Sequence, residues 1–374
     1  MLITLVAGAR PNFIKIAPII HAIQAASKKG EKISYRLVHT GQHYDQKMSG
    51  SFFEQLEIPE PHSNLESGSG SQAEQTAAIM IRFEKELLEN PTDLVLVVGD
   101  VTSTMACAVT AQKLHTKVAH VEAGIRSEDW TMPEEINRLV TDSITNYFFT
   151  TSEVANENLR KSGVEENRIF FVGNTMIDTL LKQRRNFQKP VIWEELKLKE
   201  KEYLVMTLHR PANVDGEIQL KNLIDELLEN TRDLPLLFPV HPRTAKILSK
   251  IGIAHPRLHT IEPLSYLEFN YLVERAKAVV TDSGGITEET TMMNVPCMTL
   301  RDNTERPETI TLGTNELLGT DPKIIKPAMD KLFAGKWKKA NQIPLWDGKT
   351  AERIVETLLN FEITQSKDHK NLSC

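Results

Sequence analysis

Cysteine is scarce in this chain: three in 374 residues, at Cys107, Cys297 and Cys374. They are odd in number, far apart and without metal-ligand spacing, so neither a disulfide framework nor a structural zinc site is expected; they read as two core thiols and a tail residue. Cys374 is the last residue, whereas a prenylation box would need its cysteine four from the end. Long apolar runs are also missing: no stretch of eighteen appears, so no membrane-spanning helix is expected. The apolar opening at 1–7 is broken at once by Gly8, Arg10 and Pro11, with no basic leader or small-residue cleavage site, which predicts a protein that stays in the cytosol. Nor is there a basic excess. Lys and Arg number 44 against 50 Asp and Glu, a formal net charge of -6, which argues against nucleic acid as the main partner. A nucleotide stays open, because a small anion needs only a few local cations and a helix N-terminus.

What is present is the composition of a globular protein, 40% hydrophobic and 25% charged. The length exceeds one ordinary core and suits two α/β domains. Apolar runs of strand length recur at 2–7, 33–39, 94–99, 117–122, 147–150 and 169–172, and again at 203–208, 236–241, 258–261, 278–281 and 296–300, with helix-length spacers between most of them. Such alternation predicts two doubly wound, mostly parallel sheets. The segment 182–202, rich in Lys, Arg, Gln and Glu, is the expected hinge, placing domains at 1–185 and 186–349, with a C-terminal helix at about 350–362 packing back onto the first domain and a frayed tail at 365–374. Residues 60–72 read as a mobile Gly/Ser-rich loop ending in Ser71-Gln-Ala-Glu74, a capping box that starts a helix.

Ligand groups in such sheets lie beyond the carboxyl ends of the strands. The first run leads into Gly8-Ala-Arg-Pro-Asn-Phe-Ile-Lys15, where Arg10 and Lys15 bring positive charge near a helix start opened by Pro11. A phosphate would be stabilised there; a plain turn with solvated cations accounts for the segment equally well. Asp100 closes the 94–99 run, with Thr102 or Ser103 available to cap the following helix. Glu122 closes the next run and has Arg126 near enough in sequence to pair with it. Pro133 should open a helix whose first turn holds Glu134 and Glu135. Singly, each carboxylate suits a structural role; three on successive loops at one sheet edge suit proton abstraction from carbon and its reverse. In the second half, His209-Arg210 and His241-Pro242-Arg243 follow strands and suit anion contact or acid–base work, without metal spacing. Ser283, Gly284 and Gly285 open a helix in a sequence suited to cradle a diphosphate, and 301–308 is a charge-dense loop.

In order, the motifs GARPNFIKIAP, TGQHYD, VVGD, HVEAGIRS, PEEINR, TLHR, PVHPR, TDSGGITEE and RDNTERPE span residues 8–308 and resemble the non-hydrolysing UDP-N-acetylglucosamine 2-epimerases. The resemblance implies the GT-B architecture, two Rossmann-like domains facing across a cleft, and a metal-free, cofactor-free reaction. In that reaction UDP leaves C1 as the C2 proton is removed, a 2-acetamidoglucal forms, and UDP re-adds with protonation on the other face. It implies acid–base roles for Asp100, Glu122 and Glu134, a catalytic-site His209, and substrate-binding roles for Arg10, His241, Phe269, Ser283, Gly284, Gly285, Glu289 and Arg306, to which the charge of their loops adds Lys15 and Arg243. Glu289 would accept hydrogen bonds from ribose hydroxyls, and the 264–269 stretch would read uracil through backbone groups. It further implies a cytoplasmic homodimer that handles a UDP-sugar and touches neither membrane nor nucleic acid.

The chain departs from that pattern at Tyr44-Asp45, where relatives activated by a second UDP-GlcNAc carry Arg and then Gln or Glu, and at Pro211-Ala212-Asn213, where a Glu often precedes the Asn. Activation by a second substrate molecule is therefore not expected. A UDP-2,3-diacetamido sugar acid stays open as substrate. The rivals are a GT-B glycosyltransferase, which would not need three carboxylates on the first domain's strand tips, and a hydrolysing epimerase.

Overall fold

In a computed structural model, which describes residues 1–41, 53–240 and 242–371, the chain divides into two compact units, residues 1–182 with 344–374 and residues 183–343. Unit 1 carries seven parallel strands: β1 (Leu2–Ala7), β2 (Ser34–His39), β3 (Ser63–Asn64), β4 (Leu94–Val98), β5 (Lys117–Val121), β6 (Tyr147–Thr150) and β7 (Ile169–Phe171). Their order is β3-β2-β1-β4-β5-β6-β7. The helices between them are α1 (Arg10–Lys28), α2 (Gln72–Glu89), α3 (Thr102–Lys113), α4 (Pro133–Ile144), α5 (Glu153–Lys161) and α6 (Thr175–Gln183). The central strands are largely apolar, with all five residues of β4 buried, because helices cover both faces of a doubly wound sheet. The strand order reverses between β1 and β4, and a crevice for ligands opens beyond the strand ends at such a point.

Unit 2 repeats the plan with β8 (Leu204–Thr207), α7 (Glu217–Asn230), β9 (Leu236–Pro239), α8 (Pro242–Ile251), β10 (Leu258–Ile261), α9 (Tyr266–Arg275), β11 (Ala278–Thr281), α10 (Gly284–Met292), β12 (Cys297–Thr299), α11 (Pro307–Thr311), β13 (Asn315–Leu317) and α12 (Ile325–Phe333). All pairings are parallel, in the order β10-β9-β8-β11-β12-β13. Here the reversal falls between β8 and β11. The core on one side of this sheet is aliphatic, with Leu220, Ile224 and Leu227 of α7 packed with Leu204, Met206 and Val280. Burying each such side chain contributes about 1.5–3 kcal/mol.

Local chemistry sets the helix ends. The Ser71 hydroxyl accepts the Glu74 N–H at 3.2 Å while Glu74 Oε2 accepts the Ser71 N–H at 2.9 Å, the expected capping box at the start of α2. Neither Thr102 nor Ser103 caps α3. Its N-cap is Val101; the Ser103 hydroxyl instead meets Thr40 Oγ1 at 3.0 Å. The last helix, α13 (Thr350–Asn371), also departs from expectation. It continues through Asn371 instead of fraying from residue 365, since no Gly or Pro interrupts 350–371. Asp178 of α6 accepts the Thr350 and Ala351 N–H groups at 3.2 and 2.8 Å, and Phe361 stacks on Tyr147 at 4.2 Å, which hold α13 in unit 1. Cys107 and Cys297 are buried free thiols. Among the described residues no helix is long and apolar enough to cross a membrane.

Candidate functional site

Beside the strand reversal of unit 1, β4 and β5 pair in register to Val98 and Val121, so Gly99-Asp100 and Glu122 leave the sheet side by side. Both Gly99 and Glu122 are left-handed, at φ +69° and +68°. That backbone is cheap for glycine and costly for glutamate, and strain of this kind clusters at functional sites. Continuing the strand alternation would put Glu122 on the face of His120; the left-handed turn sends it to α1. There Lys15 Nζ meets Glu122 Oε2 at 2.5 Å, both groups buried. Arg126, expected as the partner of Glu122, pairs with Asp142 at 2.6 Å. A methyl on Gly99 would lie 3.3 Å from Lys15 Nζ and 3.8 Å from Glu122 Oε2, so the bare glycine lets the ion pair close over the turn.

Asp100, partly exposed at its tip, is gripped from α4. Arg138 Nη1 reaches its Oδ2 at 2.6 Å, and Asn137 Nδ2 donates to its carbonyl at 2.9 Å. Arg138 is itself fixed by Glu135, whose Oε2 is 2.7 Å from Nη2. Burial pushes the Glu135 carboxyl up, but the Ser127 N–H and the Arg138 guanidinium outweigh it and hold it below the usual range. Glu134 precedes Asn137 and Arg138 by three and four residues, so it shares their helix face and stands over the same turn. It is half-buried, and its side chain has no hydrogen bond or ion pair among the described residues. Asn12, one turn into α1, joins the loops: its Oδ1 accepts the Gly8 and Ala9 N–H groups and its amide donates to Val98 O. Arg10 stands exposed at the first position of that helix. Asp100, Glu122, Glu134 and Lys15 thus gather at one sheet end.

Unit 2 builds its counterpart around Asp282, which sequence reasoning passed over although it opens DSGG. Wholly buried, it accepts the backbone N–H groups of His209 and Arg210 and the Asn213 amide, and lies 2.8 Å from His209 Nδ1. Burial raises its pKa, but His209 and Asn213 bring the carboxyl below the ordinary value. His209 itself stays exposed. Ser283, Gly284 and Gly285 begin α10, whose first N–H groups find no carbonyl within the helix. A methyl on Gly284 would lie 2.5 Å from Glu305 Oε1. Glu305 is paired with Arg301 at 2.6 Å; burial raises its carboxyl, but Arg301 brings it down to about 2. Glu289 is fully buried on α10, where Tyr266 donates to its Oε1 at 2.8 Å, and burial raises it to about 7. Arg306 Nε sits 2.6 Å from Glu288 on the same helix. Phe269 lies on α9 beside Asn270, whose amide also faces Glu289, and the Phe269 N–H is spent on the Ser265 carbonyl. His241, the side chain of Arg243, and the segment holding Tyr44 and Asp45 lie outside the described residues.

No group of three or more His, Cys, Asp or Glu suited to a metal ion occurs among the described residues. Two sheet ends, one rich in held carboxylates and one offering an unspent helix N-terminus with cations beside it, suit proton transfer and anion binding respectively.

Residues 25–359 match the family model of UDP-N-acetylglucosamine 2-epimerase. The chain is 41% identical to the UDP-N-acetylglucosamine 2-epimerase of Methanocaldococcus jannaschii over 96% of its own length and 99% of the relative's. It superposes on a crystal structure of that archaeal protein in complex with UDP-GlcNAc and UDP with a TM-score of 0.86, covering 96% of this chain and 99% of the other. It is also 36% identical, over 96% of its length and 99% of the relative's, to the UDP-2,3-diacetamido-2,3-dideoxy-D-glucuronate 2-epimerase of Pseudomonas aeruginosa.

Proposed function

The chain belongs to the UDP-N-acetylglucosamine 2-epimerase family, and from that premise we propose that it interconverts UDP-GlcNAc and UDP-ManNAc without hydrolysing either. The observation that carries the reading is that Asp100 and Glu122 leave adjacent strands around the Gly99 turn, with Glu134 one turn before Asn137 and Arg138, the residues of its helix that reach Asp100. Inverting a carbon that bears no acidic proton needs a base on one face and an acid on the other, held away from water. In the reaction one carboxylate takes the C2 proton. The C–H electron pair becomes the C1=C2 bond of a 2-acetamidoglucal, and the C1–O pair leaves with the UDP oxygen. The reverse step, with the proton delivered to the opposite face of C2, returns UDP to C1 and completes the inversion.

Two of the carboxylates exchange protons at C2, while the third or His209 assists departure of the UDP oxygen. Lys15 steadies Glu122, and Arg138 aims Asp100. Ser283, Gly284 and Gly285 receive the diphosphate, with Arg306, His241, Arg243 and Arg10 as further anion contacts, and Glu289 holds the ribose hydroxyls. Backbone groups of the 264–269 stretch, which includes Phe269, read the uracil. The reading includes a homodimer working in the cytoplasm, and the free thiols of Cys107 and Cys297 suit a reducing compartment.

The test is product analysis by proton NMR with UDP-GlcNAc, with UDP-2,3-diacetamido-2,3-dideoxyglucuronate, and with UDP-GlcNAc plus a sugar acceptor. UDP-ManNAc from UDP-GlcNAc alone supports the proposal. Free N-acetylmannosamine with UDP, turnover only with the acceptor, or conversion of the diacetamido sugar alone overturns it.

A further inference from the structure

Behind the unit 1 site lies a histidine that the reading above leaves without a role. His120 is the penultimate residue of β5, fully buried. Its Nε2 is 2.8 Å from the Gly99 carbonyl oxygen and its Nδ1 is 2.7 Å from Asp142 Oδ1. The other oxygen of Asp142 already accepts the Gly124 N–H at 3.0 Å and Arg126 Nη1 at 2.6 Å.

These contacts fix the protons. A peptide carbonyl carries no hydrogen, so Nε2 must donate to Gly99. A carboxylate that accepts from a guanidinium and a peptide N–H is favoured ionised, so the proton between Asp142 and the ring belongs on Nδ1. A neutral ring in either tautomer would set a bare lone pair against an oxygen lone pair inside a dry core, at the full cost of an unsatisfied buried group. Burial raises the Asp142 carboxyl, yet His120 and Arg126 hold it below the usual range, in keeping with a carboxylate between two cations.

The consequence falls on Asp100. The carbonyl that His120 grips belongs to the Gly99-Asp100 peptide, and Gly99 is the residue most free to rotate there, at φ +69°. Its N–H is tied to the Val121 carbonyl at 3.0 Å, so Gly99 is bonded on both sides by β5. Rotation about the Gly99 Cα–C bond would break the His120 bond and carry Asp100, with its carboxylate, away from Arg138.

We propose that His120 is a positioning residue of the acid–base site: a doubly protonated imidazolium, backed by Asp142 and Arg126, that clamps the Gly99-Asp100 peptide and so aims Asp100. The role in turnover rests on the epimerase reading; the charge state of the ring does not.

The experiment combines ring nitrogen-15 NMR of the histidine-labelled wild type with kinetics of His120→Asn. The expected spectrum holds one histidine with both ring nitrogens protonated, its signal lost in His120→Asn and shifted in Asp142→Asn. The expected kinetics are a kcat lower by about 100-fold, the size of a misplaced catalytic group, with KM for UDP-GlcNAc close to that of the wild type. A His120 ring with one bare nitrogen, or a His120→Asn enzyme with wild-type kcat, overturns the inference, as does a KM that rises in step with the loss of kcat. Should His120→Asn melt out, the wild-type ring signature, traced through Asp142→Asn, decides. A wild type that does not epimerise UDP-GlcNAc yet shows the doubly protonated ring sinks the functional reading and leaves the charge state standing.

Discussion

Lys15 Nζ and Glu122 Oε2 meet at 2.5 Å under the bare face of Gly99, 107 residues apart in the chain and both buried. Removing one member of a buried pair strands the other charge, which typically costs 3–5 kcal/mol, whereas removing both costs far less. Lys15→Met is therefore expected to lower the stability of unit 1 by about 3 kcal/mol, and Lys15→Met with Glu122→Gln to recover part of that loss. Urea denaturation of the single and double variants measures the coupling. Strictly additive losses would show that the contact contributes nothing.

Asp100→Asn keeps the shape of the turn and the Asn137 bond to the Asp100 carbonyl, but gives up the carboxylate. Turnover should fall by about 100- to 10,000-fold, the range of a lost acid–base group, while UDP binding measured by calorimetry stays unchanged. Rates near normal would remove Asp100 from the proton path.

Glu289 links pH to the stability of unit 2. Burial raises its carboxyl from 4.5 to about 7, so between those values the folded chain keeps a proton that the unfolded chain has shed. A raised folded pKa gives stability at low pH that is lost as pH climbs through the window, by up to about 3 kcal/mol. Glu289→Gln escapes this loss. Measured by urea unfolding against the wild type, its relative stability should improve by about 3 kcal/mol between about pH 5 and about pH 8. A difference that does not vary with pH contradicts the assignment.

Gly284→Ala places a methyl 2.5 Å from Glu305 Oε1, a carboxylate tied to Arg301 and unable to swing clear without breaking that pair. The insertion should cost about 1–3 kcal/mol where it crowds the start of α10. UDP affinity is expected to drop by about tenfold or more, with the unit 1 melting transition untouched. Unchanged UDP affinity would show that the diphosphate does not approach Gly284.

Much of this arrangement was legible in the sequence because strand runs and helix spacers are local signals. They foretold two doubly wound sheets, and the strand-tip rule picked out Asp100, Ser283 and Gly284 at the strands that flank the reversals and Glu122 on the strand next to one. Partner choice was not legible. Arg126 is four residues from Glu122, yet Lys15 is its partner, because a left-handed backbone at Glu122 turns the side chain to the other face of the sheet. Arg138 reaches Asp100 across 38 residues and His120 reaches Asp142 across 22; neither pairing leaves a trace in spacing. Asp282 was overlooked because its work is done on the backbone of His209 and Arg210, 73 and 72 residues away. The length of α13 was missed because 365–371 is polar and lacks the apolar period by which helices are found, although nothing in it breaks one.

The central claim is that carboxylates of unit 1 remove and return the C2 proton while UDP leaves and rejoins C1. Incubation with UDP-GlcNAc in deuterated water, followed by NMR of the sugar, tests it directly. The account predicts solvent deuterium at C2 of UDP-ManNAc, and of UDP-GlcNAc recovered at equilibrium, with UDP still attached and the label absent when Asp100→Asn replaces the wild type. UDP-ManNAc that forms with its original hydrogen at C2 would contradict it.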